Sequence, residues 1–229
     1  MPYQTTRKTR VLLTGFGPFP GVPVNASAEL ARELAEAANR AFPGVEVVAA
    51  YLPTEWAEGR SELRGLLKRL APDIALHFGV SERARGFEIE ARGHNARAQC
   101  ADARGANPPS IVVRDDGPLR RPANLPAHSI ASRLRQAGIP ALVSWDAGTY
   151  LCNALLYHAL DRYNDDPTLR RNGFIHVPSG LMARYGRPPR TAPRCPLSWE
   201  QAVRGGVEIV AACLGRRPVR NAAKTCRLG

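Results

Sequence analysis

A cysteine, a histidine and a pair of glutamates are the residues of this 229-residue chain whose placement suits covalent catalysis. Cys152 lies in "SWDAGTYLCNALLYHAL", where an apolar run ends in Asp-Ala-Gly and a helical pattern begins at once. That spacing predicts a thiol in the first turn of a helix. Unpaired N–H groups and the helix dipole favour an anion there, and a thiolate is such an anion. The competing reading is an inert packing thiol, the usual state of a free cysteine. His176 breaks the apolar strand pattern "GFIHVP" just before a proline. It is either a satisfied core histidine or the base that takes the thiol proton. Glu88 and Glu90, in "FEIEARGHN", stand two apart and so point the same way on a strand. One of them could orient the imidazole, as the acid of a triad does. Residue types alone choose neither, and they do not exclude Asp146.

The elements around these residues alternate. "RVLLTGFG" reads as a strand entering a glycine turn, and "NASAELARELAEAANRAF" as a helix capped by Asn25 or Ser27. Leu30, Leu34 and Ala38 form its apolar face. "VEVVAAYL" is a strand, "EWAEGRSELRGLLKRL" a helix and "DIALHFGV" a strand. "SIASRLRQAG", "YLCNALLYHALDRY" and "LSWEQAVRGGVEIVAACLG" are helices, with "PALVSW" and "GFIHVP" as strands. This order predicts an α/β fold, with helices covering a largely parallel sheet. In such a sheet, strand C-terminal ends and helix N-termini share the edge where ligands bind, and Cys152 and His176 both fall on it. The segment 96–126 is rich in Gly, Pro, Asn and Asp and lacks periodicity, as functional loops often do. No internal repeat or linker divides the chain. It is expected to form a single domain over 1–229, loose and basic after about residue 215.

"LLTGFGPFPGVPVNAS" follows a strand and is glycine-rich, but it matches neither GxxxxGK[ST] nor GxGxxG. Phe16 and Phe19 sit in it instead, which suits a flat uncharged ring better than phosphate.

The net charge of +12 raises the question of nucleic acid. Against that, arginine outnumbers lysine 29 to 3, as a GC-rich coding sequence would give. The excess also concentrates after Leu181, where ten basic residues meet two acidic ones, with no finger or RNP-type motif. Specific nucleic-acid binding is not expected. No run reaches the roughly 18 apolar residues of a membrane span, and no signal-peptide core follows "MPYQTTRKTR". Five cysteines without a CxxC pair argue against a disulfide framework and a zinc ribbon. Together these features predict a cytoplasmic protein with free thiols.

Four segments, in order, resemble the pyroglutamyl peptidase I (pyrrolidone-carboxylate peptidase) family of cysteine exopeptidases. "LLTGFGPFPGVPVNAS" is similar to the opening motif TGFxPFxGxxxNPS, departing from it at Pro20 and Ala26. "SWDAGTYLCNALLYHAL" resembles the nucleophile motif [ST]xxAGxxxCN, and "GFIHVP" resembles GFIH[IV]P. "FGVSERARGFEIEARGHN" is similar to the acid segment, nearer the vertebrate GVS…E…GHN form than the bacterial GQAGGR form. The resemblance implies Cys152 as nucleophile, His176 as base and Glu90, rather than Glu88, as orienting acid. It implies Phe16 and Phe19 around the pyroglutamyl ring, Val80 where the bacterial type has glutamine, and a supporting role for Asn25. It further implies a three-layer α/β/α sandwich of the phosphorylase/hydrolase type with a mixed, twisted sheet. No cofactor or metal, N-terminally pyroglutamylated peptides as substrates, and a homo-oligomer are also implied. The bacterial arginine near the reacting carbonyl has no clean counterpart, since neither Arg97 nor Arg104 aligns with it. Two rival readings are therefore carried: an amidase for another small cyclic or acyl group, and a non-catalytic basic binding protein.

Overall fold

The computed structural model describes residues 7–19, 22–23, 25–165, 168–181 and 195–219. Six strands form the central sheet: β1 (Thr9–Phe16), β2 (Val45–Leu52), β3 (Ile74–Ser81), β4 (Phe87–Glu90), β7 (Ala141–Ser144) and β8 (Arg171–Pro178). Their order is β2-β1-β3-β8-β4-β7. All neighbours are parallel except β4 and β8, which pair antiparallel with Glu88 opposite His176. The sheet is thus mixed, and that one reversal brings the start of β4 to the edge where β8 ends. β5 (Arg92–His94) and β6 (Arg120–Pro122) make a separate two-stranded ribbon.

The helices are α1 (Ser27–Ala41), α2 (Trp56–Leu70), α3 (Ala127–Gln136), α4 (Leu151–Asp165) and α5 (Trp199–Leu214). Ile74, Leu76 and Phe78 of β3 pack with Leu30 and Leu34 of α1, Ile130 and Leu134 of α3, and Ile209 and Val210 of α5. Ala75 faces the other way, among Leu63, Leu66 and Leu67 of α2 and Leu155, Leu156 and Leu160 of α4. Period-two alternation therefore splits each central strand between two cores, which is what makes three layers. β1 and β3 are near-continuous apolar runs because both faces are covered.

Local chemistry fixes the ends. Ser198 and Gln201 form a reciprocal capping box at α5, and Gly215 closes that helix at φ 64°. The expected cap of α1 differs: the N-cap is Ala26, with no side-chain bond. Asn25 Oδ1 instead accepts from Ser27 N and Ser27 Oγ, while Asn25 Nδ2 donates to Gly17 O. Asn25 thus satisfies the first free N–H of the helix from one position before the N-cap, and ties the glycine turn to it. The expectation of a loose tail falls on 216–219, where Val219 N donates to Ala41 O, and on 220–229, outside the described residues. No helix among the described residues is long and apolar enough to cross a membrane.

Candidate active site

Cys152 is the second residue of α4. The turn before it is held by local bonds. Ser144 Oγ accepts from Asp146 N at 3.2 Å, and Asp146 Oδ1 accepts from Gly148 N at 2.9 Å. Gly148 adopts φ 77°, where any side chain would be strained. The next residue, Asn153, is fully buried. Its Oδ1 accepts from His94 N, and its Nδ2 donates to His94 O and Ala96 O, at 2.8–2.9 Å. α4 is thereby anchored to β5 beside the thiol.

His176 comes from β8 and is 5% exposed. Its Nδ1 donates to Glu90 Oε1 at 2.8 Å. That leaves Nε2 free to serve Cys152, whose charge acts on the ring. Burial alone would lower the imidazole pKa. The interaction with Cys152, followed by that with Glu90, outweighs it and pushes the value up to about 10. Glu90 is fully buried, and its Oε2 has no other hydrogen-bond partner. The three residues therefore form a relay of thiol, imidazole and carboxylate. Such a relay can generate a thiolate, deliver a proton to a leaving group and later activate water.

Gly79, paired with His176 across β3 and β8, leaves the relay room. A Cβ there would lie 2.7 Å from the Phe174 ring and 3.1 Å from Cys152 Sγ. Phe174 in turn packs its ring 4.8 Å from that of His176.

Two compartments meet at Cys152, Phe19, Val80 and Tyr150. The smaller adds Phe16, Asn25, Thr54, Gly79 and Leu151, and its free space is about 10 Å3, enough for about one water. The larger is open, about 420 Å3, and adds Ser81, Arg83, Glu88, Ser144, Asp146 and His176 among its walls. Phe19, Tyr150 and Trp56 form an aromatic chain beside them, with ring centroids 5.6 and 5.2 Å apart.

The residues expected from sequence thus converge on one edge: Cys152, His176, Glu90, Phe19 and Val80. Phe16 differs in kind. It is 2% exposed, packs against Phe174 in the core and floors the small compartment. The turn's main chain is largely engaged already: Phe16 N donates to Ser27 Oγ, while Gly17 O accepts from Asn25 and Thr54. Neither Arg97 nor Arg104 lines either compartment. Arg97 donates to Val113 O, and Arg104 pairs with Glu55. Tyr150 and Thr54 were missed. Tyr150 had a signal, standing two residues before Cys152 in the quoted helix start. Its hydroxyl donates to Ala101 O, and burial, then the charges of Cys100, Asp102 and Cys152, push its pKa up to about 12.

Glu88, Glu90 and His176 also bring ligand atoms within 4.8 Å of one another. The Nδ1–Oε1 bond already occupies that imidazole nitrogen, so a hydrogen-bonded relay accounts for the group without an ion.

Comparison with known proteins agrees with this geometry. A family model described as pyroglutamyl peptidase matches residues 9–215. A pyrrolidone-carboxylate peptidase of Ralstonia nicotianae is 36% identical over 179 residues, 78% of this chain and 82% of that protein. One from Bacillus thuringiensis is 33% identical over 169 residues, 73% of this chain and 77% of that protein. Among solved structures, pyroglutamyl peptidase I of Bacillus amyloliquefaciens superposes with TM-score 0.76 at 30% identity, covering 90% of this chain and 98% of its own. A mutant pyrrolidone carboxyl peptidase from Pyrococcus furiosus gives 0.78 at 27% identity, covering 90% and 99%. With the match spanning both compartments and every strand and helix that builds them, the chain belongs to the pyroglutamyl peptidase family of cysteine peptidases.

Proposed function

We propose that this protein hydrolyses the amide bond after an N-terminal pyroglutamyl residue, with Cys152 as nucleophile, His176 as acid and base, and Glu90 as the group that orients His176. The observation carrying this reading is the buried Glu90–His176 pair beside Cys152, at the junction of an aromatic compartment and an open one. The Cys152 thiolate attacks the pyroglutamyl carbonyl carbon. The oxyanion faces main-chain N–H groups at the start of α4, a role backbone amides fill well because they are fixed in advance. His176 then gives its Nε2 proton to the leaving nitrogen as the C–N bond breaks, leaving a thioester. Water adds to the thioester, His176 takes its proton, and pyroglutamate leaves as the thiolate re-forms.

A lactam carries no charge, so shape and a few hydrogen bonds must recognise it. Phe19 and Tyr150 wall the small compartment, Phe16 floors it, and Val80 stands at its mouth. Its present free space is too small for a five-membered ring, so Phe19 or Tyr150 swings aside as the ring enters. A cytoplasmic setting belongs to the same reading, supported by free Cys100, Cys152, Cys195 and Cys213. So does a single catalytic unit, which requires no specific nucleic acid. A homo-oligomer is retained from the family resemblance alone.

The test is turnover of a pyroglutamyl chromogenic amide with and without iodoacetamide, beside the prolyl amide, which lacks the ring carbonyl. The expected result is pyroglutamyl turnover abolished by alkylation and prolyl turnover lower by about 100-fold or more, since the prolyl ring lacks the carbonyl that a hydrogen bond could recognise. Equal turnover of the two amides would sink the ring assignment.

A further inference from the structure

The relay uses one of the two glutamates that β4 sends to this face, and the other has no place in the reaction above. Glu88 is the direct cross-strand partner of His176, half-buried, on the wall of the open compartment. If the ring occupies the small compartment, as proposed above, the scissile nitrogen must face His176, because that ring protonates it. The residue carrying that nitrogen then extends into the 420 Å3 space, past Glu88 and towards Asp146.

The charge there runs against the rest of the molecule. The chain carries +12 overall. At the cavity, Glu88 and Asp146 are acidic, and the Cys152–His176–Glu90 group carries one more acidic than basic side chain. Among the described residues, one cation, Arg83, lies in its lining. Arg85 stands farther back, its Nη1 donating to Glu82 O and Ala84 O, and its charge reaches Glu88 more weakly than that of Arg83. A half-buried carboxylate acts through a lower dielectric than an exposed one, so Glu88 has more leverage than solvent-facing Asp146.

We infer that the open compartment is a leaving-group subsite that selects peptides with a basic residue directly after the pyroglutamyl group, with Glu88 as the selecting carboxylate and Arg83 as its opponent. A lysine or arginine there places its cation against Glu88, whereas an acidic residue meets repulsion from Glu88 and Asp146 and attraction from Arg83 with a weaker contribution from Arg85. Specificity of this kind is a difference between substrates and leaves the relay itself unchanged.

The test compares kcat/KM for pyroglutamyl-lysine, pyroglutamyl-glutamine and pyroglutamyl-glutamate amides at about pH 8, where a carboxyl is ionised even when burial raises its pKa. The wild type should prefer lysine over glutamate by about tenfold or more, and the preference should shrink in high salt. Glu88→Gln should cut the lysine-to-glutamate ratio by about fivefold to tenfold, and Arg83→Gln should raise it by about threefold. The ratio is what is read, so a variant that merely loosens the fold scales all three substrates and leaves it unmoved. A flat or inverted wild-type series, or an unchanged ratio in Glu88→Gln, overturns the inference while leaving the peptidase reading intact. Failure of the wild type to cleave even the glutamine substrate overturns both.

Discussion

Two histidines lie on the same face of the central sheet, one on β3 and one on β8, and they end in opposite states. His77 is fully buried, with Nδ1 hydrogen bonded to Thr14 Oγ1 at 2.7 Å. Asn172 lies near the ring, too loosely for a full bond at the other nitrogen. Burial pushes His77 down to about 4, and Asn172 recovers part of that. His176 is nearly as buried, yet rises to about 10 because Cys152 and Glu90 overcome the same desolvation. The contrast teaches that burial sets only the cost of a charge. Whether an anion is supplied next to the ring decides its state, and neutral partners such as Thr14 and Asn172 leave it uncharged.

Removing the anions one at a time should break the contrast. Cys152→Ala should lower kcat/KM for pyroglutamyl amides by roughly 10⁴-fold or more, with little loss of fold, since a nucleophile is not replaceable by water in place. Its His176 resonance should then titrate well below the wild-type value, moving toward the behaviour of His77. Cys100→Ala, Cys195→Ala and Cys213→Ala should keep most activity; burial already pushes the Cys213 thiol up to about 12. A Cys152→Ala protein with full turnover would falsify the mechanism.

Glu90→Gln should come next, costing about 10²–10⁴-fold, because the amide can hold the ring but supplies no charge to stabilise imidazolium. NMR titration should again show His176 lowered. Gly79→Ala tests the spacing rather than the charge. Its methyl would press on Phe174 and the thiol, and a misplacement of this size should cost up to about 100-fold in kcat/KM. Iodoacetamide should alkylate that variant at an altered rate.

How far this site was legible differs residue by residue. Cys152 and His176 announced themselves because each breaks a local pattern. β2 lies over Val45–Leu52 as its segment predicted, and Leu30, Leu34 and Ala38 are all fully buried on α1. Glu88 and Glu90 could not be separated locally, since both face the relay. The choice depends on a hydrogen bond between residues 86 apart, and on a strand reversal that no short segment encodes. The aperiodic stretch after residue 95 was opaque for another reason. Its main chain is held by side chains: Asn95 bonds Val113 N, Arg114 N, Arg114 O and Gly117 O. Asp102 likewise accepts from Trp56 N, Arg104 N and Ala106 N. Such contacts have no period to read.

The smallest effect on turnover, and the sharpest test of the contrast, is expected at His77. His77→Gln should leave kcat/KM within about twofold, because no compartment wall includes it. Stability should nevertheless respond to pH. An imidazole whose folded value lies at about 4 contributes fully above its unfolded value near 6.5, and that contribution is lost as pH falls toward 4. The loss is about 3 kcal/mol across that window. His176 has the opposite sign: its contribution is complete below about 6.5 and disappears as pH rises through about 10. Urea unfolding across the acid window should therefore show a flatter slope in His77→Gln than in the wild type. His158, pushed down to about 3 by burial and then by Arg60 and Arg97, acts equally in both proteins. Identical slopes would mean that His77 is not held neutral.

Asn153 has a consequence for how this sequence can drift. It fixes the nucleophile's helix by bonding the peptide groups of His94 and Ala96, so their side chains go unread by the anchor. The anchor itself tolerates any residue at those two positions as long as the main chain keeps its path, although His94 also bonds Trp145 O through its ring. Asn153 has no such licence. Aspartate in its place loses both donors and strands two carbonyls, and leucine loses the acceptor as well. The restraint that positions the thiol is thus carried by one side chain and a stretch of anonymous backbone, so relatives could diverge widely on one side of this contact and hardly at all on the other.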